Sequence, residues 1–138
     1  QNNNFHGQGQ YTGYMVNYKI EYTGDWINGT KNGNGKLIIE LPSDKLERKY
    51  IFNHEAYTGE FLLDRFHGIG KYQYADGADY YGEWNKGRIE GKGKLTLPNE
   101  TIIEGEFKDR KITDSEGNIQ DIPSQYITER DDEEYENK

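Results

Sequence analysis

The chain has 138 residues, with 17 Lys and Arg against 25 Asp and Glu, no Cys and a net charge of −8. Val, Ile, Leu and Phe number only 26, a composition close to that of disordered chains, yet 12 Tyr and 2 Trp supply large burial area per residue. Without Cys there is no disulfide framework and no thiolate chemistry, and no apolar run approaches the ~20 residues of a membrane-spanning helix.

The charge is uneven. Residues 1–112 carry 15 basic and 16 acidic side chains, whereas residues 113–138 carry 2 and 9. The first part therefore lacks the basic stripe that neutralises nucleic-acid phosphates, and its attraction to anionic lipid is weak for the same reason. The chain opens on Gln1, with neither Met nor an apolar signal segment, so a fragment or processed product is expected, with any targeting signal lying upstream.

A half-unit comes first, Phe5-His6-Gly7 followed by Gly9. The full unit begins with Tyr22-Thr23-Gly24-Asp25-Trp26 and continues to Gly33 and Gly35. It returns as Tyr57-Thr58-Gly59-Glu60-Phe61 with Gly68 and Gly70, and as Tyr80-Tyr81-Gly82-Glu83-Trp84 with Gly91 and Gly93. Gly59, Gly82 and Gly105 are each 23 residues apart, and a fixed period in this range marks a repeat array. The rhythm is broken by extra residues between Gly35 and Gly59, so an extended loop or hairpin insertion is predicted at about 41–56. A last strand survives as Ile103-Glu104-Gly105-Glu106-Phe107, but Asp114 stands where the next glycine belongs, and the pattern is expected to stop there.

Within a unit the parity is that of strands. Tyr57, Gly59 and Phe61 share one face of an extended segment, and Thr58 and Glu60 the other. Turn signals at Asn28-Gly29, Asp76-Gly77, Lys86-Gly87 and Pro98-Asn99 separate the segments. Each unit is predicted to be a hairpin, and residues 1–112 an all-β antiparallel meander of hairpins. A glycine inside a strand is normally unfavourable. Here each shares a face with aromatic residues, so a neighbouring ring can cover the bare backbone. In the acidic tail, residues 113–138, Ile119, Ile122, Tyr126 and Ile127 recur at roughly helical spacing behind Pro123-Ser124. A short helix capping the last hairpin is predicted there, followed by disorder.

The recurrence explains several groups that could suggest chemistry. His6 and His67 share a repeat position with Asn32 and Glu90, which fits a polar turn position and not a general base. His54 stands alone in the insertion, and three zinc ligands cannot be assembled. The stretch from Gly87 to Gly93 is one residue short of a phosphate loop and lacks its Ser or Thr. The paired glycines are not followed by the helix of a dinucleotide site. Asp25, Glu60, Glu83 and Glu106 recur in phase with Lys36, Lys71 and Lys94, which predicts cross-strand ion pairs on a solvated face. Asn28-Gly29-Thr30 and Asn99-Glu100-Thr101 fit the glycosylation sequon but lie at or near turns, where Asn is common. No catalytic residue, cofactor or metal site is predicted.

The unit resembles the MORN repeat (membrane occupation and recognition nexus) across residues 5–108. The best match runs from Tyr57 through Phe66-His67-Gly68 and Gly70 to Asp76-Gly77. The resemblance implies an elongated, twisted single-layer sheet with no enzymatic activity of its own. It also implies a cytoplasmic scaffold or adaptor in a cytoskeletal or ciliary assembly. Two alternatives stand beside it: a peripheral membrane or phosphoinositide-binding module, disfavoured by charge, and a regulatory repeat fragment of a larger enzyme. A sheet face lined with Tyr and Trp gives contact area at low entropy cost. Trp26, Phe61, Tyr72, Tyr74, Trp84 and Phe107 are therefore the expected partner-binding residues, gripping a helix or peptide in an aromatic groove, with the insertion as a second contact. Exposed sheet edges also allow a homodimer.

Overall fold

The computed structural model describes residues 6–15 and 18–127. The fold is all-β: a single ten-stranded sheet in which every strand pairs antiparallel with its sequence neighbours. The strands are β1 (Gly7–Met15), β2 (Tyr18–Ile27), β3 (Thr30–Glu40), β4 (His54–Leu62) and β5 (Arg65–Gln73), then β6 (Asp79–Asn85), β7 (Arg88–Thr96), β8 (Ile102–Lys108), β9 (Lys111–Thr113) and β10 (Ile119–Asp121). β1 and β10 are its edges.

Hairpins close at one side of the sheet through two-residue turns with both residues at positive φ, as the right-handed strand twist favours. Asn28-Gly29 and Lys86-Gly87 make such turns, as their sequence predicts. Leu63-Asp64 (φ 49° and 70°) and Asp109-Arg110 (φ 51° and 67°) make the same turn without glycine. At the other side, loops close at Tyr74–Ala78, Leu97–Thr101 and Asp114–Asn118, each by a main-chain bond from its first to its last residue of 2.8–2.9 Å.

The register explains the paired glycines. Gly24 faces Gly35, Gly59 faces Gly70, and Gly82 faces Gly93. Just beyond each pair the register shifts: Trp26 pairs with Lys31, Phe61 with Phe66, and Trp84 with Ile89. Three residues on the second strand thus stand against one on the first, a bulge of two. At its centre sit Gly33, Gly68 and Gly91, with φ of 93°, 72° and 112°, a conformation that strains other side chains. In the β8–β9 hairpin that place belongs to Asp114. β9 stops one residue before it, and Phe107 still pairs with Ile112.

Three expectations are corrected. The insertion is shorter than 41–56, because His54, Glu55 and Ala56 pair with Glu40, Ile39 and Ile38 and lengthen the β3–β4 hairpin. Residues 41–53 form a loop with one 3-10 turn at Ser43–Lys45, and Ile51 and Phe52 donate their N–H groups to the Ala75 carbonyl. The sheet does not end at residue 112, since β9 crosses that boundary and β10 follows. The C-terminal helix is a single 3-10 turn at Ser124–Tyr126, and Ile119 lies in β10 with its side chain in solvent. The β-branched Ile119 suits a strand at least as well as a helix. The predicted disorder falls mostly on residues 128–138, outside the described residues.

Gly70 has an ordinary strand φ, so its lack of a side chain answers to its surroundings. A Cβ there would land on the hydroxyl end of the Tyr57 ring. Replacing Gly70 by Val is expected to lower the melting temperature by more than about 10 °C, while Lys71→Val, on the solvated face, shifts it by less than about 2 °C. Thermal unfolding followed by circular dichroism checks this, and equal shifts would contradict the close packing of ring on glycine.

Candidate functional site: two faces of a repeat sheet

One face of the sheet is a core of rings. Tyr22, Tyr57 and Tyr80 are fully buried, and each runs across its glycine pair. Their hydroxyls donate to the main-chain carbonyls of Asp25 (2.8 Å), Glu60 (2.7 Å) and Glu83 (2.8 Å). Those three residues are the ones that the register shift leaves unpaired with the second strand of their own hairpin, although each pairs with the strand on its other side, and the tyrosine gives the carbonyl a donor. Burial, and then the neighbouring carboxylates, push the Tyr22 phenol up to about 12 and those of Tyr57 and Tyr80 higher still.

The tyrosines also join repeat to repeat. Tyr22 meets Trp26 of its own unit at 5.2 Å and Phe61 of the next at 5.0 Å. Tyr57 meets Phe61 at 5.1 Å and Trp84 at 5.4 Å, and Tyr80 meets Trp84 at 5.2 Å and Phe107 at 5.1 Å. All six contacts are edge-to-face, an arrangement that contributes about 0.5–1.5 kcal/mol per pair beyond area burial. The Trp84 indole N–H donates to the Gly70 carbonyl at 3.0 Å. At the start of this spine the Lys31 ammonium lies 5.5–5.8 Å from the centres of the Tyr11, Tyr22 and Trp26 rings and 3.6 Å from Asp64.

The six residues expected to grip a partner therefore sit together, but mostly inside. Phe61, Tyr72, Tyr74, Trp84 and Phe107 are each at most 4% exposed, and Trp26 is half-buried beneath Lys31. Alternation correctly places them on one face. It could not show that successive rings close over one another, because that depends on the cross-repeat contacts.

The other face is polar and open. Three of the four carboxylates predicted to form ion pairs have a different task, while Glu106 stands opposite Lys92 in register. Asp25, Glu60 and Glu83 accept the N–H groups of Asn34 (2.9 Å), Ile69 (3.2 Å) and Lys92 (3.0 Å), which close each bulge. Lys36 and Lys71 stand opposite Thr58 instead. The His, Asn and Glu position lies on a strand beside the bulge at Asn32, His67 and Glu90, and immediately before β1 at His6, not in a turn. Its side chain binds the turn of the next hairpin: His6 accepts from Asn28 N–H (3.4 Å), Asn32 from Leu63 N–H (3.3 Å) and His67 from Lys86 N–H (3.3 Å). Two adjoining depressions of about 780 and 620 Å³ cross this face over β4–β9 and share Ile69, Glu83 and Glu106. Tyr81 (53% exposed) and Ile69 (40% exposed) are their large apolar side chains in solvent.

At the loop side, the Tyr74–Ala78 loop gathers the insertion and the C-terminal segment. Glu55 accepts from the Tyr72 hydroxyl (2.7 Å) and the Ala75 N–H (3.0 Å). Asp76, buried, accepts from the Ala78 N–H (2.9 Å) and the Tyr126 hydroxyl (2.6 Å).

A meander of hairpins on a 23-residue period, interrupted once by a longer loop and sealed at three hairpins by a tyrosine across a glycine pair, defines a β-hairpin repeat protein. The chain belongs to the MORN repeat family, whose model matches residues 1–15, 22–39, 57–78 and 80–102, together more than half of it. The MORN repeat is a non-catalytic repeat module. Among curated proteins the chain is similar to phosphatidylinositol 4-phosphate 5-kinase 1 of Oryza sativa subsp. japonica, 44% identical over 43 residues, 31% of this chain. It is similar to Alsin of Homo sapiens and of Rattus norvegicus, 27% identical over 93 residues, 64% of this chain. In each case the match spans about 5% of the relative's length.

Two outcomes are expected. Tyr57→Phe keeps the ring but leaves the Glu60 carbonyl without its donor, and should cost about 1–2 kcal/mol in a denaturant melt. Tyr81→Phe, in solvent, should cost less than about 0.5 kcal/mol. Second, phenols held above their ordinary value of 10 stabilise the fold fully below pH 10. The unfolded chain then ionises between pH 10 and about 12 while the folded chain does not, so stability must fall as pH rises through that window. Melts from pH 8 to pH 11.5 should be flat at first and then decline. A flat profile throughout would contradict the burial of these phenols.

Proposed function

We propose that this chain is a non-enzymatic scaffold or adaptor that binds a partner protein, and that the partner lies in the trough on the polar face. The observation that carries this reading is the division between the faces. Interlocked rings make one face a rigid support, whereas the other presents a wide open depression with Tyr81 and Ile69 in solvent, ringed by carboxylates and lysines. A half-exposed aromatic anchor with a polar rim suits a protein contact. The burial of Phe61, Tyr72, Tyr74, Trp84 and Phe107 moves the proposed contact away from the aromatic face. A cytoskeletal or ciliary setting belongs to the same proposal and rests on the family resemblance.

A second reading, a regulatory repeat portion of a larger enzyme, is favoured by the small share of the rice kinase that the matched stretch occupies. The full-length transcript distinguishes the two.

A photo-crosslinking residue at position 81 in cells is expected to trap a discrete protein adduct that the same residue at Ile119 does not. Co-sedimentation with phosphatidylserine vesicles is expected to be absent at low and high salt. Salt-sensitive vesicle binding without an adduct at position 81 would overturn the scaffold reading in favour of a lipid one.

A further inference from the structure

The segment after β10 leaves the sheet and returns to the aromatic face, where it is held at both ends of a single tyrosine. The Tyr126 ring meets the Tyr74 ring edge-to-face at 4.7 Å. Its hydroxyl donates to the Asp76 carboxylate at 2.6 Å, and its main-chain carbonyl accepts from the Tyr74 hydroxyl at 2.7 Å. Ile122 and Ile127, on either side, pack against the same core, and Ile122 N–H donates to the Arg110 carbonyl at 2.9 Å. Pro123 opens the single 3-10 turn between them. Tyr126 and Asp76 are 50 residues apart, and the turn's own main-chain bonds run from Tyr126 to Pro123 and from Ile127 to Ser124. Besides these contacts, the segment's covalent link to the sheet runs through β10, three residues paired only with β9 at the sheet edge.

We propose that the aromatic face beside the Tyr74–Ala78 loop is a docking groove for short tyrosine-bearing segments of the form apolar-Pro-x-x-Tyr-apolar, with Ile122–Ile127 as its occupant in cis. A partner's segment of the same chemistry displaces it. Recognition reads three features at once: a ring against Tyr74, a phenol proton for the buried Asp76, and a carbonyl for the Tyr74 hydroxyl. Phenylalanine supplies no proton and leaves Asp76 with one donor fewer. Phosphotyrosine brings negative charge against a buried carboxylate, and the groove rejects it. The groove is on the face opposite the trough, and its existence does not depend on what binds there.

The test uses the full chain and full-length variants, titrated by fluorescence anisotropy with a labelled synthetic peptide copying residues 119–128. Tyr126→Ala, which empties the groove, is expected to bind the peptide at least about ten-fold tighter than the unaltered chain. Tyr126→Phe should fall between them, and it keeps the test open if the alanine variant unfolds. The peptide with phosphotyrosine is expected to show no saturable binding. Equal binding by all three proteins, or equal binding of the phosphorylated peptide, would overturn the proposal. Hydrogen exchange supplies a second reading. Tyr126→Phe should speed exchange at residues 122–127 and leave strands β5 and β6 unchanged, whereas loss of protection throughout β5 and β6 would make the segment an integral part of the core and refute its displacement.

Discussion

A tyrosine hydroxyl crossing a bare glycine pair to reach a main-chain carbonyl three residues on is the contact on which the rest of this structure depends. It occurs at Tyr22, Tyr57 and Tyr80. The two-residue bulge would otherwise leave a part-buried carbonyl without this donor, and the hydroxyl removes that cost. The glycine pair is the condition for it, since a Cβ at Gly35, Gly70 or Gly93 would occupy the hydroxyl's place. The acid at the same step closes the bulge from the other face by accepting an N–H. Ring, glycines, carbonyl and carboxylate are one device, repeated.

Through this device a single-layer sheet acquires a core. Aliphatic side chains are few, and a lone sheet face has nothing opposite to pack against. The rings solve this by lying along the sheet and meeting edge-to-face from one unit to the next. Each repeat is then stable through its neighbours, as in other quasi-one-dimensional arrays. The β8–β9 hairpin shows what the device needs. With Asp114 in place of the bulge glycine, β9 ends after three residues, although Phe107 and Ile112 stay buried. Asp114 instead binds the N–H groups of Glu116 and Asn118 and closes a loop.

Much of the fold was legible because the period and the alternation are local properties. Strand parity, the meander, the glycine–aromatic seam and two of the four tight turns follow from residue spacing alone. The turns at Leu63-Asp64 and Asp109-Arg110 carry no glycine or asparagine, and only their position 23 or 35 residues from the others marks them. The tail misled because Ile119, Ile122 and Tyr126 satisfy helical spacing, while the loop at Asp114–Asn118 sends Ile119 into a strand. The candidate site was less legible. Sharing a face was readable, but whether a ring ends in solvent or beneath its neighbour depends on contacts across repeats. The acids looked like ion-pair partners because main-chain N–H groups freed by a bulge leave no trace in the sequence. Tyr126 meets Asp76 across 50 residues, and nothing local signals that contact.

The dependence of the glycine on the ring is measured most directly by a double-mutant cycle between Tyr57 and Gly70. Stabilities of the parent, Tyr57→Ala, Gly70→Ala and the double variant would come from denaturant unfolding. Gly70 has no φ constraint against alanine, and the three atoms nearest the place of its Cβ all belong to Tyr57, so the tyrosine is the source of penalty that the cycle measures. The account predicts that Gly70→Ala is costly in the parent and nearly neutral once Tyr57 is removed, with a coupling of about 1–3 kcal/mol. Additivity within about 0.5 kcal/mol would contradict it and return the paired glycines to a backbone explanation.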